Sequence, residues 1–266
     1  MSTIPVHDLE LHHETRGSGP PVLFISGATG DAGHWTEVGE ELSADFTVIS
    51  YDRRGNSRSP APPGWTATSI AEQADDAAAL LEGLGTAPCA VVGNSLGAII
   101  ACALVEQHPG LLHTAVLHEP PLLSIVTHGD QIGDDLQSMI GEAVQEGGFP
   151  LAMDRFLRGV AGDDVIDALE PALRTRMLTN GQVFFEVELP AMSAYLPDPE
   201  LLRRTGVTLL PAAGVDNRDT YFGEATRWLA DGLGVAVHEL SGAHGPYFDR
   251  PAVFADELRI LLNDKR

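Results

Sequence analysis

The sequence predicts an α/β protein, in which helices cover both faces of a mostly parallel sheet. Short apolar runs such as VLFIS, CAVVGN and VTLLPAAG alternate with segments of helical periodicity, which is the order that consecutive strand-helix units produce. Hydrophobic residues make up 44% of the 266 residues. The chain is therefore long enough and apolar enough to bury one sizeable core.

The first third of the chain supplies most of these units. The run IPVHDLELHHE alternates roughly between apolar and polar residues and predicts an antiparallel hairpin. The strand VLFIS, a helix over 34–42 and the strand TVISYD follow. Ser69 and Glu72 form an S-x-x-E capping box, which opens a helix that continues to Leu84. The strand CAVVGN, a helix over about 95–107 and the strand TAVLHE complete this part.

The pattern changes at residues 122–205, which show helical periodicities broken by Gly and Pro and no convincing buried strand. This segment contains four of the five methionines and several phenylalanines (Met139, Met153, Met177, Met192, Phe149, Phe156, Phe184 and Phe185). Met and Phe at helical spacing are typical of ordinary core packing. Between two strands of a sheet they also fit a helical lid over an adaptable apolar pocket.

After this segment the strand pattern returns with VTLLPAAG and VAVHEL, which flank a helix over 220–233. Pro251 opens the closing helix. The predicted organisation is therefore a core of residues 1–121 and 206–266, with a helical cap inserted at residues 122–205.

The charge balance narrows the choice of partners. With 38 acidic and 16 basic residues, the formal net charge is −22, which disfavours nucleic acid and anionic membranes. No run approaches the roughly 20 apolar residues of a membrane span. The start, MSTIPVHDLE, lacks the features of a secretory signal. We expect a cytoplasmic protein that acts on a small molecule, and the oligomeric state stays open.

No cofactor or metal is expected from the sequence. Its two cysteines, Cys89 and Cys102, lie in apolar segments and predict small buried side chains rather than a disulfide. Neither belongs to a cluster of metal ligands, and the sequence contains no HExxH and no CxxC.

A candidate nucleophile is Ser95, in the run Gly93-Asn94-Ser95-Leu96-Gly97, which matches G-x-S-x-G. An apolar strand precedes this run and an apolar helix follows it, so the serine is predicted on a sharp, strained turn with its hydroxyl exposed. The Leu96 N–H, at the helix N-terminus, would point to a developing oxyanion. Because a serine needs a base, His244, between the last strand and the last helix, is the candidate partner.

These motifs together resemble the α/β-hydrolase superfamily over nearly the full length. GSGPPVLFISG is similar to the family's oxyanion strand and loop, YDRRGNSRS to its D-x-R-G-x-G-x-S turn, GNSLG to its nucleophile elbow, and GAHGPYFDRPAVFADEL to its histidine loop and last helix. The resemblance implies a mostly parallel eight-stranded sheet and makes the Ala28 N–H the second oxyanion donor. Two positions depart from the family pattern: the oxyanion loop begins Ser26-Gly27 rather than His-Gly, and Ser57 replaces a glycine.

The acid of the catalytic triad has two candidates. Asp216 follows the strand VTLLPAAG, the common position in the family, but lies one residue nearer to the strand than usual. Glu119, in AVLHEPP, ends the strand after the elbow helix, where the family also uses a carboxylate. Glu119 is favoured, because a carboxylate at a strand end followed by two prolines is well placed to orient His244.

The predicted function is hydrolysis of a mainly apolar ester or lactone through an acyl-enzyme. The HEPP placement and the capped fold are similar to zearalenone-type lactonases and related actinobacterial hydrolases. The alternatives are a cofactor-free perhydrolase resembling haloperoxidases, a lyase, and a non-catalytic ligand-binding protein on the same scaffold. Haloalkane dehalogenation is disfavoured, because it needs a carboxylate where Ser95 stands.

Overall fold

A computed structural model describes residues 2–263. It contains eight strands: β1 (Ser2–Val6), β2 (Leu9–Arg16), β3 (Pro21–Ile25), β4 (Thr47–Tyr51), β5 (Cys89–Asn94), β6 (Leu112–His118), β7 (Thr208–Gly214) and β8 (His238–Leu240). They form one sheet in the order β1-β2-β4-β3-β5-β6-β7-β8. Only the pairs β1–β2 and β2–β4 are antiparallel, and the other five neighbouring pairs are parallel. The predicted eight-stranded, mostly parallel sheet is confirmed.

From β3 onward, helices connect the strands, and two helices follow β8. The helices are α1 (Thr36–Leu42), α2 (Ile70–Leu84), α3 (Leu96–Gln107), α4 (Gly129–Ala161), α5 (Asp163–Ala168), α6 (Pro171–Thr179), α7 (Gly181–Val183), α8 (Leu189–Ser193), α9 (Pro199–Arg204), α10 (Tyr221–Leu233), α11 (Pro246–Asp249) and α12 (Pro251–Asn263). A π-helical turn (Phe184–Glu188) joins α7 to α8. Across residues 2–263, no helix is both long enough and apolar enough to cross a membrane.

The core lies in two layers, one on each face of the sheet. Along β3, Val22 and Phe24 pack with α1 and α12, whereas Leu23 and Ile25 pack with α2 and α3. This alternation follows from the two-residue period of a strand. Because both faces are covered, the central strands read as continuous apolar runs in the sequence, and β5 is buried at every position.

The last strand is shorter than its sequence pattern predicts. VAVHEL predicts a strand from residue 235, but β8 begins at His238. Gly234, in the left-handed conformation at φ 70°, ends α10, and the Val235 N–H donates to the Ala230 carbonyl. The helix-capping motif therefore uses the residue that would otherwise begin the strand.

Residues 122–205, called the helical insertion below, contain only helices and turns and lie between β6 and β7. Helix α4 bends at Gly148, which adopts a positive φ of 76°, two residues before Pro150. Proline cannot donate the helical hydrogen bond and collides with the preceding turn, so a break at this point is expected.

Candidate active site

Ser95 occupies a strained turn between β5 and α3. Its backbone angles are φ 57° and ψ −124°, in the positive-φ region that residues other than glycine rarely adopt. The Ser95 N–H donates to the His118 carbonyl at 2.9 Å, which ties the turn to β6. This is the geometry that the G-x-S-x-G pattern predicts for a nucleophile elbow.

Three glycines permit this turn because no side chain fits beside it. A Cβ atom on Gly93 would lie 2.3 Å from the Gly97 carbonyl oxygen, and one on Gly97 would lie 2.1 Å from the Ile25 carbonyl oxygen. A Cβ on Gly27, in the neighbouring loop, would lie 2.9 Å from Ser95 Cβ. The loop after β3 therefore passes directly against the serine.

These contacts make a strong prediction for Gly97→Ala. Since the added methyl group would collide with rigid backbone, we expect the free energy of unfolding to fall by roughly 3 kcal/mol or more. Gly110→Ala is the matched control, because a Cβ there meets no atom within 4 Å, and its effect should stay within about 0.5 kcal/mol. Chemical denaturation measures both, and equal stability of the two variants would contradict the packing argument.

His244 pairs with Glu119 across the carboxyl ends of the strands. His244 Nδ1 lies 2.7 Å from Glu119 Oε2. Both side chains are buried. Glu119 follows β6 with a positive φ of 50°, and His244 follows β8. In an open α/β sheet, loops at this edge assemble the functional site.

Further hydrogen bonds hold the Glu119 carboxylate in place. Oε1 accepts from the Gly214 N–H at 2.8 Å, and Oε2 accepts from Asn217 Nδ2 at 2.8 Å. Burial opposes ionisation, but the hydrogen bond and charge of His244, the charge of His118 and the amide of Asn217 outweigh it and lower the pKa of Glu119 to about 2. Glu119 is therefore a carboxylate at neutral pH and accepts the hydrogen bond from His244 Nδ1.

Asp216, the alternative acid, is exposed and its side chain makes no hydrogen bond within residues 2–263. Its neighbour Asn217 turns inward instead and donates to Glu119. The structure thus brings Glu119 to His244 and leaves Asp216 at the surface. The shortened spacing after VTLLPAAG was the sequence signal for this arrangement, but nothing in the sequence marked Asn217 as the inward residue.

The His244 loop is anchored beside Ser95 by a polar network that the sequence did not reveal. Asn94 Nδ2 lies 2.9 Å from His118 Nδ1 and 3.4 Å from the His244 carbonyl oxygen. The Tyr247 hydroxyl donates to Asn94 Oδ1 at 2.9 Å. Asn94 is the variable residue inside G-x-S-x-G, so its position in the motif was the one available signal.

The Phe222 ring covers one face of the His244 ring. The two rings stack with centroids 3.9 Å apart, and Phe222 lines the same cavity as Ser95. No hydrogen bond joins the Ser95 hydroxyl to His244 within the described residues. In serine-nucleophile sites this contact often becomes a hydrogen bond only when substrate binds.

The two predicted oxyanion donors are both buried and unused. Neither the Ala28 N–H nor the Leu96 N–H has an acceptor among residues 2–263. Leu96 is the first residue of α3, where the helix leaves its N–H groups free and favours negative charge. An anion that forms on a carbonyl bound at Ser95 would satisfy such donors.

A cavity of about 460 Å³ opens above Ser95. Most of its walls are apolar side chains: Leu123, Ile132, Leu136, Met139, Phe156, Phe184, Leu189, Met192 and Phe222. Two of the methionines of the helical insertion, Met139 and Met192, line this cavity, whereas Met153 and Met177 are fully buried in the core. The helical insertion therefore contains both methionines that pack in the core and methionines that line the cavity.

Within residues 2–263 there is no group of three or more His, Cys, Asp or Glu side chains arranged to hold a metal ion. Cys89 and Cys102 are both free and buried, as the sequence predicted.

Comparison with known proteins supports the family prediction made from the motifs. Residues 20–158, just over half of the chain, match the family described as the alpha/beta hydrolase fold. The chain belongs to the α/β-hydrolase family. This α/β-hydrolase is 29% identical over 268 residues to the uncharacterized hydrolase YraK of Bacillus subtilis, covering 99% of this chain and 96% of that protein. The prediction of a hydrolase enzyme is confirmed at this level.

Two further similarities are more limited. The chain is 37% identical over 111 residues to the putative non-heme bromoperoxidase BpoC of Mycobacterium tuberculosis, covering 41% of each protein. A solved thermophilic esterase from Thermogutta terrifontis shares the fold with a TM-score of 0.79 and 20% identity, covering 99% of both chains.

Proposed function

We propose that this α/β-hydrolase is a serine hydrolase that cleaves carboxylic esters or lactones of apolar small molecules. The observation that carries the proposal is the buried Glu119–His244 pair beside a strained serine at the floor of an apolar cavity. Nucleophile, base and orienting acid are the three roles that acyl transfer through serine requires.

In the proposed reaction, His244 Nε2 accepts the proton of the Ser95 hydroxyl as the oxygen attacks the substrate carbonyl. The Ala28 and Leu96 N–H groups stabilise the oxyanion of the tetrahedral intermediate. His244 then donates the proton to the leaving alkoxide, which departs as the alcohol and leaves an acyl-enzyme. Water, deprotonated by His244, then attacks the acyl-enzyme. His244 returns the proton to the Ser95 oxygen as the acid is released. In a lactone, acid and alcohol remain one molecule.

The helical insertion is proposed to act as a cap that selects the substrate. It supplies most of the cavity wall, including Ile132, Met139 and Phe156. Apolar walls with few polar groups favour an apolar acyl or alcohol part. The charged side chains at this cavity, Asp135 and Arg155, belong to α4, and Arg155 is paired with Glu146.

Met139→Trp tests this role of the insertion. The larger ring would fill part of the cavity, so we expect kcat/KM for a p-nitrophenyl octanoate to fall roughly tenfold while the acetate changes little. Leu201→Trp is the control, since Leu201 is 43% exposed and lies outside the cavity. Equal losses for the short and the long ester would argue against substrate selection by this wall.

A second candidate is perhydrolysis, in which hydrogen peroxide replaces water in attacking the acyl-enzyme and yields a peracid. The partial similarity to a putative non-heme bromoperoxidase favours it. Measuring acetate-dependent bromination with peroxide, beside ester hydrolysis by the same preparation, separates the two activities.

The test of the main proposal is turnover of p-nitrophenyl esters of increasing acyl length and of a macrocyclic lactone, together with labelling by a fluorophosphonate. Hydrolysis with stoichiometric labelling at Ser95 supports it. Labelling without turnover would keep the serine chemistry and reject the substrate class. Absence of both would favour a ligand-binding protein.

A further inference from the structure

The loop that carries Ala28 is held by the helical insertion. This loop, called the oxyanion loop here, comprises Ser26–Asp31 and lies against Ser95 through Gly27. Polar contacts from a short stretch of the insertion, residues 176–188, reach this loop directly or through Arg53, although 135 or more positions separate the partners in sequence. These contacts join the proposed cap to the proposed catalytic machinery.

The first contact runs through a buried ion pair. Arg53 donates to the carbonyl oxygens of Ser26 at 3.2 Å and of Gly27 at 3.0 Å, and also to Glu188 Oε2 at 2.6 Å. Arg53 and Glu188 are at most 1% exposed. Arg53 thus binds the backbone on the N-terminal side of Ala28, and Glu188 of the insertion holds Arg53 in place.

Further hydrogen bonds hold the Glu188 carboxylate in the position from which it binds Arg53. Its other oxygen, Oε1, accepts from Asn56 Nδ2 at 3.0 Å and from Gln73 Nε2 at 3.2 Å. It ends the π-helical turn, where the Leu189 N–H reaches back five residues to the Phe184 carbonyl. Pro190 follows, and π turns recur at functional sites. A buried ion pair is weak evidence for stability by itself, because desolvation offsets its attraction. A positioning role for Glu188 explains why both oxygens of its carboxylate accept hydrogen bonds.

The second contact binds the backbone on the C-terminal side of Ala28. Asn180 Nδ2 donates to the Thr29 carbonyl at 2.6 Å, and Asn180 Oδ1 accepts from the Ser57 N–H at 2.8 Å. Ser57 occupies the position where the family pattern has glycine, and its hydroxyl donates to Asp31 at 2.6 Å. Arg176 also pairs with Asp31, through Nε at 2.6 Å. The loop is therefore held on both sides of the candidate donor.

We propose that Glu188, acting through Arg53, and Asn180 are positioning residues that hold the oxyanion loop so that the Ala28 N–H faces the oxyanion. The inference rests on the proposed function. The cap is then part of the machinery for transition-state stabilisation as well as a wall of the pocket. Weakening its contacts lowers the rate of the chemical step, because a donor must already be in place when the negative charge develops.

Glu188→Gln and Asn180→Ala test the proposal, each measured with an ester substrate and with a trifluoromethyl ketone, which forms an oxyanion adduct with a serine. We expect kcat and the affinity for the ketone to fall roughly tenfold or more while KM changes less than about threefold. Glu186→Gln is the matched control: it removes a carboxylate in the same turn, but Glu186 is exposed and, among the residues that the structure describes, its side chain bonds only Gln182. It should stay within about twofold of wild type.

A rise in KM at unchanged kcat would overturn the proposal, since it would place both residues in substrate binding. Equal losses in Glu186→Gln would overturn it as well, because they would reflect the stability of the turn. Since Glu188→Gln leaves Arg53 without its anion and could prevent folding, Asn180→Ala serves as the independent variant.

Amide hydrogen exchange provides a readout that does not depend on activity. In a peptide covering residues 26–34, exchange should be faster in Glu188→Gln and Asn180→Ala than in wild type and in Glu186→Gln. If wild type neither turns over an ester nor reacts with a fluorophosphonate, the proposed function fails, and exchange still shows whether the insertion holds the loop. Unchanged exchange in both variants would contradict the positioning role.

Discussion

Ser95→Ala is expected to lower ester turnover by about 10⁴-fold or more, because the remaining oxyanion donors and binding cavity replace only a small part of serine catalysis. The expected pattern is a loss of kcat with KM largely kept, since the cavity walls do not change. Steady-state kinetics on the best p-nitrophenyl ester measures it. The fluorophosphonate label should disappear at the same time.

Stability provides the control for this variant. The positive φ of 57° at residue 95 is unfavourable for alanine as it is for serine, so the midpoint of thermal unfolding should stay close to that of wild type. Turnover retained within about tenfold in a folded Ser95→Ala protein would exclude the acyl-enzyme mechanism.

Glu119→Gln is expected to lower kcat by roughly 10³- to 10⁴-fold. The amide keeps the size of the side chain, but it lacks the negative charge that stabilises His244 as a cation. Its NH₂ group can also face His244 Nδ1, which then must accept, leaving the proton on the nitrogen that should act as the base. Kinetics at a fixed pH, with circular dichroism to confirm folding, measures the effect.

Asp216→Asn is the matched control, since it makes the same chemical change at the other candidate acid. Asp216 is exposed and its side chain makes no hydrogen bond within residues 2–263, so kcat of this variant should remain within about twofold of wild type. A collapse of turnover in Asp216→Asn with activity kept in Glu119→Gln would reverse the assignment. We prefer Gln to Ala at position 119, because Gln keeps the size of the side chain and one acceptor oxygen, whereas Ala would leave both the Gly214 N–H and the Asn217 amide unpaired at a cost of about 1–3 kcal/mol each.

The elements that the sequence predicted correctly share a local origin. The helix over 70–84 begins at Ser69, whose hydroxyl accepts from the Glu72 N–H at 3.0 Å, as the capping box predicts. CAVVGN is β5 from end to end. In both segments, residues within a few positions of one another determine the outcome, through capping or through burial on both faces of a sheet. The turn at Ser95 belongs to the same class, because its glycines flank it.

Such local patterns do not predict contacts between residues that are far apart in the sequence. The choice between Glu119 and Asp216 depends on which carboxylate reaches a histidine 125 or 28 residues away, and only the packing of β6 beside β7 brings Glu119 there. Sequence spacing favoured Glu119 but left both open. Asn217, which donates to Glu119, appeared in the sequence only as a neighbour of the other candidate.

What the sequence by itself determined was the α/β class, the order of the strands along the chain, the elbow at Ser95 and the small set of residues from which a triad could be built. Periodicity, capping and glycine placement carry that information locally. Only the tertiary structure decided that Glu119 faces His244, that half of the insertion's methionines face the cavity, and that Glu188 and Asn180 hold the oxyanion loop. Their partners are far apart in sequence, so no local pattern records the contact, and it arises only when sheet and insertion pack together.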